Sequence, residues 1–248
     1  MILLLDIGNT HTHLGLGNST RVFKQLNIPT AAWFDGGAAK LISKFVGRAL
    51  LKGAALCSVV PHATPRAVQM IRREWDLVCV ILSPKTLRGV GIDYPRPKTI
   101  GPDRLANAVA AKEHFGAPSV VVDFGTAVTF DVVDRAGNYA GGIIAPGLAV
   151  MTDYLHEKTA LLPRIKIREE RAVIGKNTEQ AMRIGAVHGY RGLIRELIGE
   201  LKRDLGVKNL PVVATGGYAK LMAAELPEIT AIDPMLTLEG LRLIWERR

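Results

Sequence analysis

"LLLDIGNTHTHLG", residues 3–15, sets an apolar run directly against an aspartate and a turn of small polar residues. Leu3–Leu5 read as a buried strand that delivers Asp6 and then breaks at Gly8, Asn9 and Thr10. Taken alone, that composition describes a tight hairpin. A second copy changes the reading: "VVVDFGTA", residues 120–127, repeats the pattern and pairs Asp123 with Asp6 and Gly125 with Gly8.

The elements around the two copies also repeat. From the first, apolar runs and turn signals predict strands over 1–5, 11–17 and 21–27, then a helix over 37–52. A strand (54–60), a helix (63–75), a strand (78–82) and a helix from Asp103 to about Phe115 follow. From the second copy come strands over 118–123, 127–133 and 139–145, then a helical region over about 147–204. A strand (211–215), a helix (217–225), a strand (229–232) and a helix (236–247) complete the chain. Short turns should make the three opening strands of each half antiparallel, and the helical crossovers should add the later strands in parallel. The expected fold is therefore α/β, with duplicated domains over 1–116 and 117–248. Each carries a mixed five-stranded sheet with helices, and the active site is expected in the cleft between the domains.

Composition narrows the function. The chain has 248 residues, 48% hydrophobic and 22% charged, and contains no apolar run long enough to span a membrane. The Ile2–Leu5 run lacks a basic flank and meets Asp6 at once, which argues against a signal peptide. Cys57 and Cys79 lie in apolar runs, as befits thiols in a reducing, cytoplasmic compartment. The net charge of +9 is scattered, without basic blocks, and aromatic residues are only 6%. That pattern suits a small anionic substrate better than a nucleic acid.

Small residues after a strand allow close backbone approach and present amide N–H groups to phosphate. Asn9, Thr10 and Thr12 add neutral donors, and Asp6 suits a water of a hydrated magnesium ion. His11 and His13 share one strand face, but no third metal ligand is placed by spacing, so nucleotide or solvent contact is expected of them. "TIGPDRLANA", residues 99–108, sets Asp103 at a helix start with Arg104 beside it. These offer a carboxylate to receive a hydroxyl proton and a guanidinium to grip an anion. "GGIIAPGL" (141–148) and "ATGG" (214–217) are further glycine turns at strand–helix junctions.

Together these stretches resemble the type III pantothenate kinases, a branch of the acetate and sugar kinase, Hsc70 and actin superfamily with ribonuclease H-like (actin-like ATPase) domains. "SVVP" (58–61), "GIDYPRPKTIGPDRLANAVAA" (91–111), "KTALLP" (158–163), "NTEQAMRIGAV" (177–187) and "LTLEGL" (236–241) carry the likeness through most of the chain. The resemblance implies ATP-dependent phosphorylation of pantothenate to 4'-phosphopantothenate, the first step toward coenzyme A, with Mg2+ bound to the ATP. It implies that Asp6, Ile7, Gly8, Asn9, Thr10, His11, Thr12, His13 and Thr126 bind ATP, and that Asp103 accepts the proton. Tyr94, Gly101, Pro102, Asp103, Arg104 and Thr178 fall on substrate-binding positions, and Asp123 on the site of a monovalent cation, K+ or NH4+. A homodimer is implied as well. Pro102 stands where small residues such as alanine are common, so no contact from its amide is expected. The family also includes members described as Bvg accessory factors, so a regulatory binding protein is one alternative. A kinase of the same fold with another substrate is a second. Retention of Asp6, Asp103 and Asp123 favours catalysis over binding alone, and the "YPRPKTIGPDR" match (94–104) argues against another substrate.

Overall fold

Strand β1 (Ile2–Ile7) is buried on both faces along Ile2–Leu5, as a central strand must be. The computed structural model describes residues 1–248. After β1 come β2 (His11–Gly17), β3 (Val22–Pro29), α1 (Ala32–Asp35), α2 (Gly37–Val46), β4 (Gly53–Ser58), α3 (Thr64–Trp75), β5 (Cys79–Ile81), β6 (Gly91–Ile92) and α4 (Pro102–Phe115). The series then restarts with β7 (Ser119–Phe124), β8 (Ala127–Val133), β9 (Asn138–Pro146) and α5 (Leu148–Lys158). It ends with α6 (Thr178–Ile184), α7 (Tyr190–Leu205), β10 (Val212–Thr215), α8 (Ala219–Ala223), β11 (Ala231–Ile232) and α9 (Leu236–Glu246).

The first sheet runs β3-β2-β1-β4-β5, antiparallel across β3-β2-β1 and parallel across β1-β4-β5. The second runs β11-β10-β7-β8-β9, with β7 antiparallel to β8 and parallel to β10. Burial repeats residue for residue: β1 matches β7, and β2 matches β8. Asp6, between His13 and Cys57, therefore occupies the same node as Asp123 between Thr129 and Thr215. One strand was not expected. The two-residue β6 pairs in parallel with Asn138–Tyr139 and makes the second sheet six-stranded.

Two compact units form, each with its own core. The first comprises residues 1–117, 135–141 and 235–248, and the second 118–134 and 142–234. Leu5, Leu14, Ile42, Leu56 and Ile71 centre the first core; Val122, Phe130, Val187, Ile194 and Val212 centre the second. The units thus depart from an even split at 116/117, because α9 packs with the first. Its Gly240 lies so close to α4 that a Cβ would stand 2.0 Å from the Ala106 carbonyl oxygen. Buried Thr237 donates to Asn107 Oδ1 at 2.7 Å, and Glu239 accepts from the Val22 amide at 2.5 Å. The 147–204 region is not one helical run. An irregular stretch over 159–177, containing Pro163, separates α5 from α6, and a π-helical turn at Gly185–Gly189 joins α6 to α7. No helix is long and apolar enough to cross a membrane.

Candidate active site

In the first unit, the β1–β2 turn is closed by the Gly8 amide donating to the His11 carbonyl at 3.0 Å. A Cβ on Gly8 would stand 3.0 Å from that same oxygen, so the turn is built for glycine. Asn9, Thr10 and His11 are exposed at its tip. Ile7 and Thr12 face the core instead, and the Thr12 hydroxyl accepts from Trp33 Nε1 at 2.9 Å. Strand alternation explains this division: His11 and His13 lie on one side, Thr12 on the other. His13 pairs through Nδ1 with Asn27 Oδ1 at 2.8 Å.

Asp6 sits at the mouth of this turn. Cys57, beside it on β4, donates its thiol to Asp6 Oδ1 at 3.3 Å. Burial, reinforced by the negative charge of Asp103, pushes the Asp6 carboxyl up to about 7. Asp103 is also raised by burial, against the lowering influence of Arg104. The structure thus sets the Asp6 carboxyl within electrostatic reach of the Asp103 charge. Burial and both carboxylates also push the Cys57 thiol well up, so it remains an S–H donor.

Asp103 lies in the first turn of α4, where Gly101 is the N-cap and Pro102 the first helical residue. Proline suits that position, since its missing donor belongs to an N–H that the helix would leave unpaired. A Cβ on Gly101 would approach Asp103 Oδ1 to 2.5 Å, so glycine leaves room for the carboxylate. The Arg104 amide donates to Asp103 Oδ1 at 2.9 Å. The Arg104 guanidinium lies 5.8 Å from the ring centroid of buried Tyr139, and Tyr94 meets the same ring edge-on at 6.2 Å. Gly141, beside the Tyr94 ring, has a φ of +118°, a conformation that favours glycine. Tyr94, Arg104 and Asp103 accordingly belong to one corner of the first unit, with Tyr139 as its unforeseen centre.

In the second unit, Asp123 is the penultimate residue of β7, and the exposed Gly125–Thr126 turn follows Phe124. Two glycines close on this turn. A Cβ on Gly147 would strike the Thr126 and Gly125 carbonyl oxygens at 2.1 and 2.6 Å, and the Gly147 amide donates to the former at 3.0 Å. Gly216, at φ +88°, would place a Cβ 2.6 Å from Asp123 Oδ1. The "GGIIAPGL" and "ATGG" turns therefore meet at the second aspartate turn. Thr178 is exposed at the first position of α6, which Asn177 caps by accepting from the Gln180 amide at 2.9 Å. A polar cavity of about 380 Å³ in this unit, lined by Glu169, Arg171, His188 and Arg191 among others, shares no residue with the turns.

Sequence reasoning missed Cys57, Tyr139 and Thr30. Cys57 reads as an ordinary apolar-strand residue, and Tyr139 lies beyond the glycine turns. Thr30 donates to the Gly8 carbonyl oxygen at 2.7 Å across a gap that carries no local signal.

Comparison with known proteins places the chain in a family. The sequence profile of the type III pantothenate kinases matches residues 2–200. A type III pantothenate kinase from Methylacidiphilum infernorum is 44% identical over 246 residues, covering 99% of this chain and 88% of that protein. Another from Akkermansia muciniphila is 45% identical over 241 residues, covering 97% and 96%. Among solved structures, a conserved Baf family protein from Campylobacter jejuni superposes with a TM-score of 0.63 at 20% identity, covering 99% of this chain and 98% of that one. An inorganic polyphosphate/ATP-glucomannokinase from an Arthrobacter species gives 0.53 at 12%, covering 100% and 99%, which supports the sugar-kinase-like fold alone. On the match over most of its length and on its full-length relatives, the chain belongs to the type III pantothenate kinase family.

Proposed function

We propose that this protein transfers the γ-phosphoryl group of ATP to the primary hydroxyl of pantothenate, giving 4'-phosphopantothenate for coenzyme A synthesis, with Asp103 as the proton acceptor. Family membership supports the reaction, and the half-buried Asp103 carboxylate at the start of α4 carries the assignment of the base. Burial raises its affinity for a proton above that of an exposed aspartate, as a general base for an alcohol requires. The Arg104 amide at 2.9 Å fixes the carboxylate at the start of α4. The Arg104 guanidinium, over the Tyr139 ring, suits the pantothenate carboxylate, and Tyr94 offers an exposed wall for its apolar part.

The turn from Asp6 to His13 receives the ATP phosphates through backbone amides and the exposed Asn9 and Thr10. The repulsion between Asp6 and Asp103 suits a divalent cation that relieves it. Asp6 would hold Mg2+ through a water, and the bound ion would neutralise charge on the phosphates. No group of three or more His, Cys, Asp or Glu side chains forms a protein cage for a metal, so the phosphates and water would complete its coordination. Asp123 suits K+ or NH4+: its carboxylate adjoins a turn whose Gly125 and Thr126 carbonyl oxygens are hard donors. Thr126 on that turn is assigned to ATP.

A homodimer completes the proposal. On α5 only Leu148 and Thr152 are buried, whereas Val150, Met151, Tyr154 and Leu155 are exposed, an apolar face that suits a second copy of the chain. Thr178, on exposed α6, would supply a pantothenate contact. Light scattering should give twice the mass of the chain, and a monomer at micromolar concentration would refute the dimer. Purified protein with pantothenate, ATP, Mg2+ and K+ should form ADP and phosphopantothenate in equal amounts. Asp103→Asn should lower kcat at least a hundredfold while the protein stays folded; product formation by that variant at the parent rate would remove Asp103 from the role.

A further inference from the structure

Behind the phosphate turn runs a chain of buried polar groups that ordinary core packing does not require. Trp33, on α1, donates Nε1–H to Thr12 Oγ1 at 2.9 Å. Thr12 Oγ1 lies 3.1 Å from Thr30 Oγ1, and Thr30 Oγ1 donates to the Gly8 carbonyl at 2.7 Å. The direction of the whole chain is fixed by counting protons. Thr30 has one hydroxyl proton and gives it to Gly8, so the Thr12 hydroxyl must donate to Thr30. The order is therefore Trp33 to Thr12 to Thr30 to the Gly8 carbonyl. All three side chains are buried, so water does not compete and each bond polarises the next.

Thr30 acts on the turn a second time. Its own amide donates to the Thr10 carbonyl at 3.0 Å. In a trans peptide the carbonyl and the following N–H point in opposite directions. Drawing the Gly8 carbonyl toward Thr30 therefore turns the Asn9 N–H away from the core, toward the exposed tip. Drawing in the Thr10 carbonyl turns the His11 N–H across β2 toward β1, on the side where the His11 carbonyl meets the Gly8 amide. One buried threonine thus sets two peptide groups of the turn and aims the Asn9 amide outward.

We propose that Thr30, held by Thr12 and Trp33, is the positioning residue that fixes the turn and presents its Asn9 amide to the phosphates of ATP. The inference rests on the reading of the 6–13 turn as the phosphate site. It gives Thr12, which does not face the ligand side, a part in nucleotide binding through its hydroxyl.

Steady-state kinetics on the intact enzyme test it. Thr30→Val keeps the branched shape but removes the hydroxyl, so the Gly8 carbonyl loses its side-chain donor and the Thr12 hydroxyl proton loses its acceptor. It should raise KM for Mg-ATP on the order of tenfold and leave KM for pantothenate within about twofold, and Thr30→Ser should restore most of the ATP affinity. Trp33→Phe removes only the first donor and should raise the ATP KM more modestly, by about threefold; it carries the test if Thr30→Val does not fold. Gly8→Val, which crowds the turn itself, separates the two levels of the reading. If Gly8→Val weakens ATP binding and both Thr30→Val and Trp33→Phe leave it unchanged, Thr30 is only a core residue and the proposal is overturned. Failure of serine to rescue, or an equal rise in both KM values, overturns it as well. An unchanged ATP KM in Gly8→Val would overturn the phosphate-turn reading and this inference together.

Discussion

Replacing Asp6 by asparagine separates what the site costs the fold from what it does for catalysis. The Asp6 carboxyl rises from 3.8 to about 7, first by burial and then by the charge of Asp103. At about 1.4 kcal/mol per unit, that rise corresponds to ~4 kcal/mol against keeping the group ionised in the folded, ligand-free protein. The sign follows from proton binding. Between pH 4 and 7 the folded state holds a proton that the unfolded state has lost, so this group makes stability fall as pH rises through that window, then level off. Asparagine carries no charge and can still accept the Cys57 thiol at its Oδ1 position. Asp6→Asn should therefore change stability little at pH 4 and raise it by up to ~4 kcal/mol at pH 8, or on the order of 10 °C in Tm for a chain of this size. The assay is thermal and denaturant unfolding of parent and variant from pH 4 to 8.5, without nucleotide or divalent cation. Turnover should fall at the same time, because stability and function oppose each other at this carboxylate. A Tm difference that is constant across the pH range, or a variant less stable than the parent at pH 8, would refute the reasoning.

Other changes probe other parts of the molecule. Asp123→Ala should abolish the response of the rate to K+ or NH4+, and an undiminished activation curve would refute the cation assignment. Gly216→Ala would force a Cβ to within 2.6 Å of Asp123 Oδ1 at a φ of +88°, so it should weaken the same response by an order of magnitude or more without unfolding the second unit; circular dichroism with rate measurements decides this. Gly240→Ala would drive α9 away from α4, costing about 2–3 kcal/mol in stability and lowering kcat through displacement of Asp103, as chemical unfolding and turnover would show.

Much of the fold was legible because the duplication is written twice in simple terms. Each aspartate turn follows an apolar run, Ile2–Leu5 or Val120–Val122, and the burial of β1 and β2 repeats in β7 and β8 because both pairs solve the same packing problem. Asp103 was legible too, since glycine, proline and an acid mark a helix start whatever surrounds it. What remained hidden depends on distant partners. The return of α9 to the first unit rests on Gly240 meeting Ala106, and glycine in an amphipathic helix does not announce what it touches. Thr12 looks like a phosphate donor in a row of polar residues, but alternation along β2 turns it into the core. The stretch over 159–177 was absorbed into a helical region although Pro163 and the Gly175–Asn177 turn signals lie within it. Proline and glycine there outweighed the apolar positions on either side.

The return of α9 also has a consequence for synthesis on the ribosome. The helix that carries Asp103 is made well before residues 235–248, against which its buried side finally packs. Residues 1–117 can collapse around their sheet as they emerge, but α4 lacks a full seat until residues 235–248 have also emerged. The carboxylate assigned to the phosphoryl acceptor is thus set in place among the final steps of folding. A nascent chain that has not yet extruded residues 235–248 would carry α4 without its seat, so the position of Asp103 depends on a segment more than a hundred residues further along.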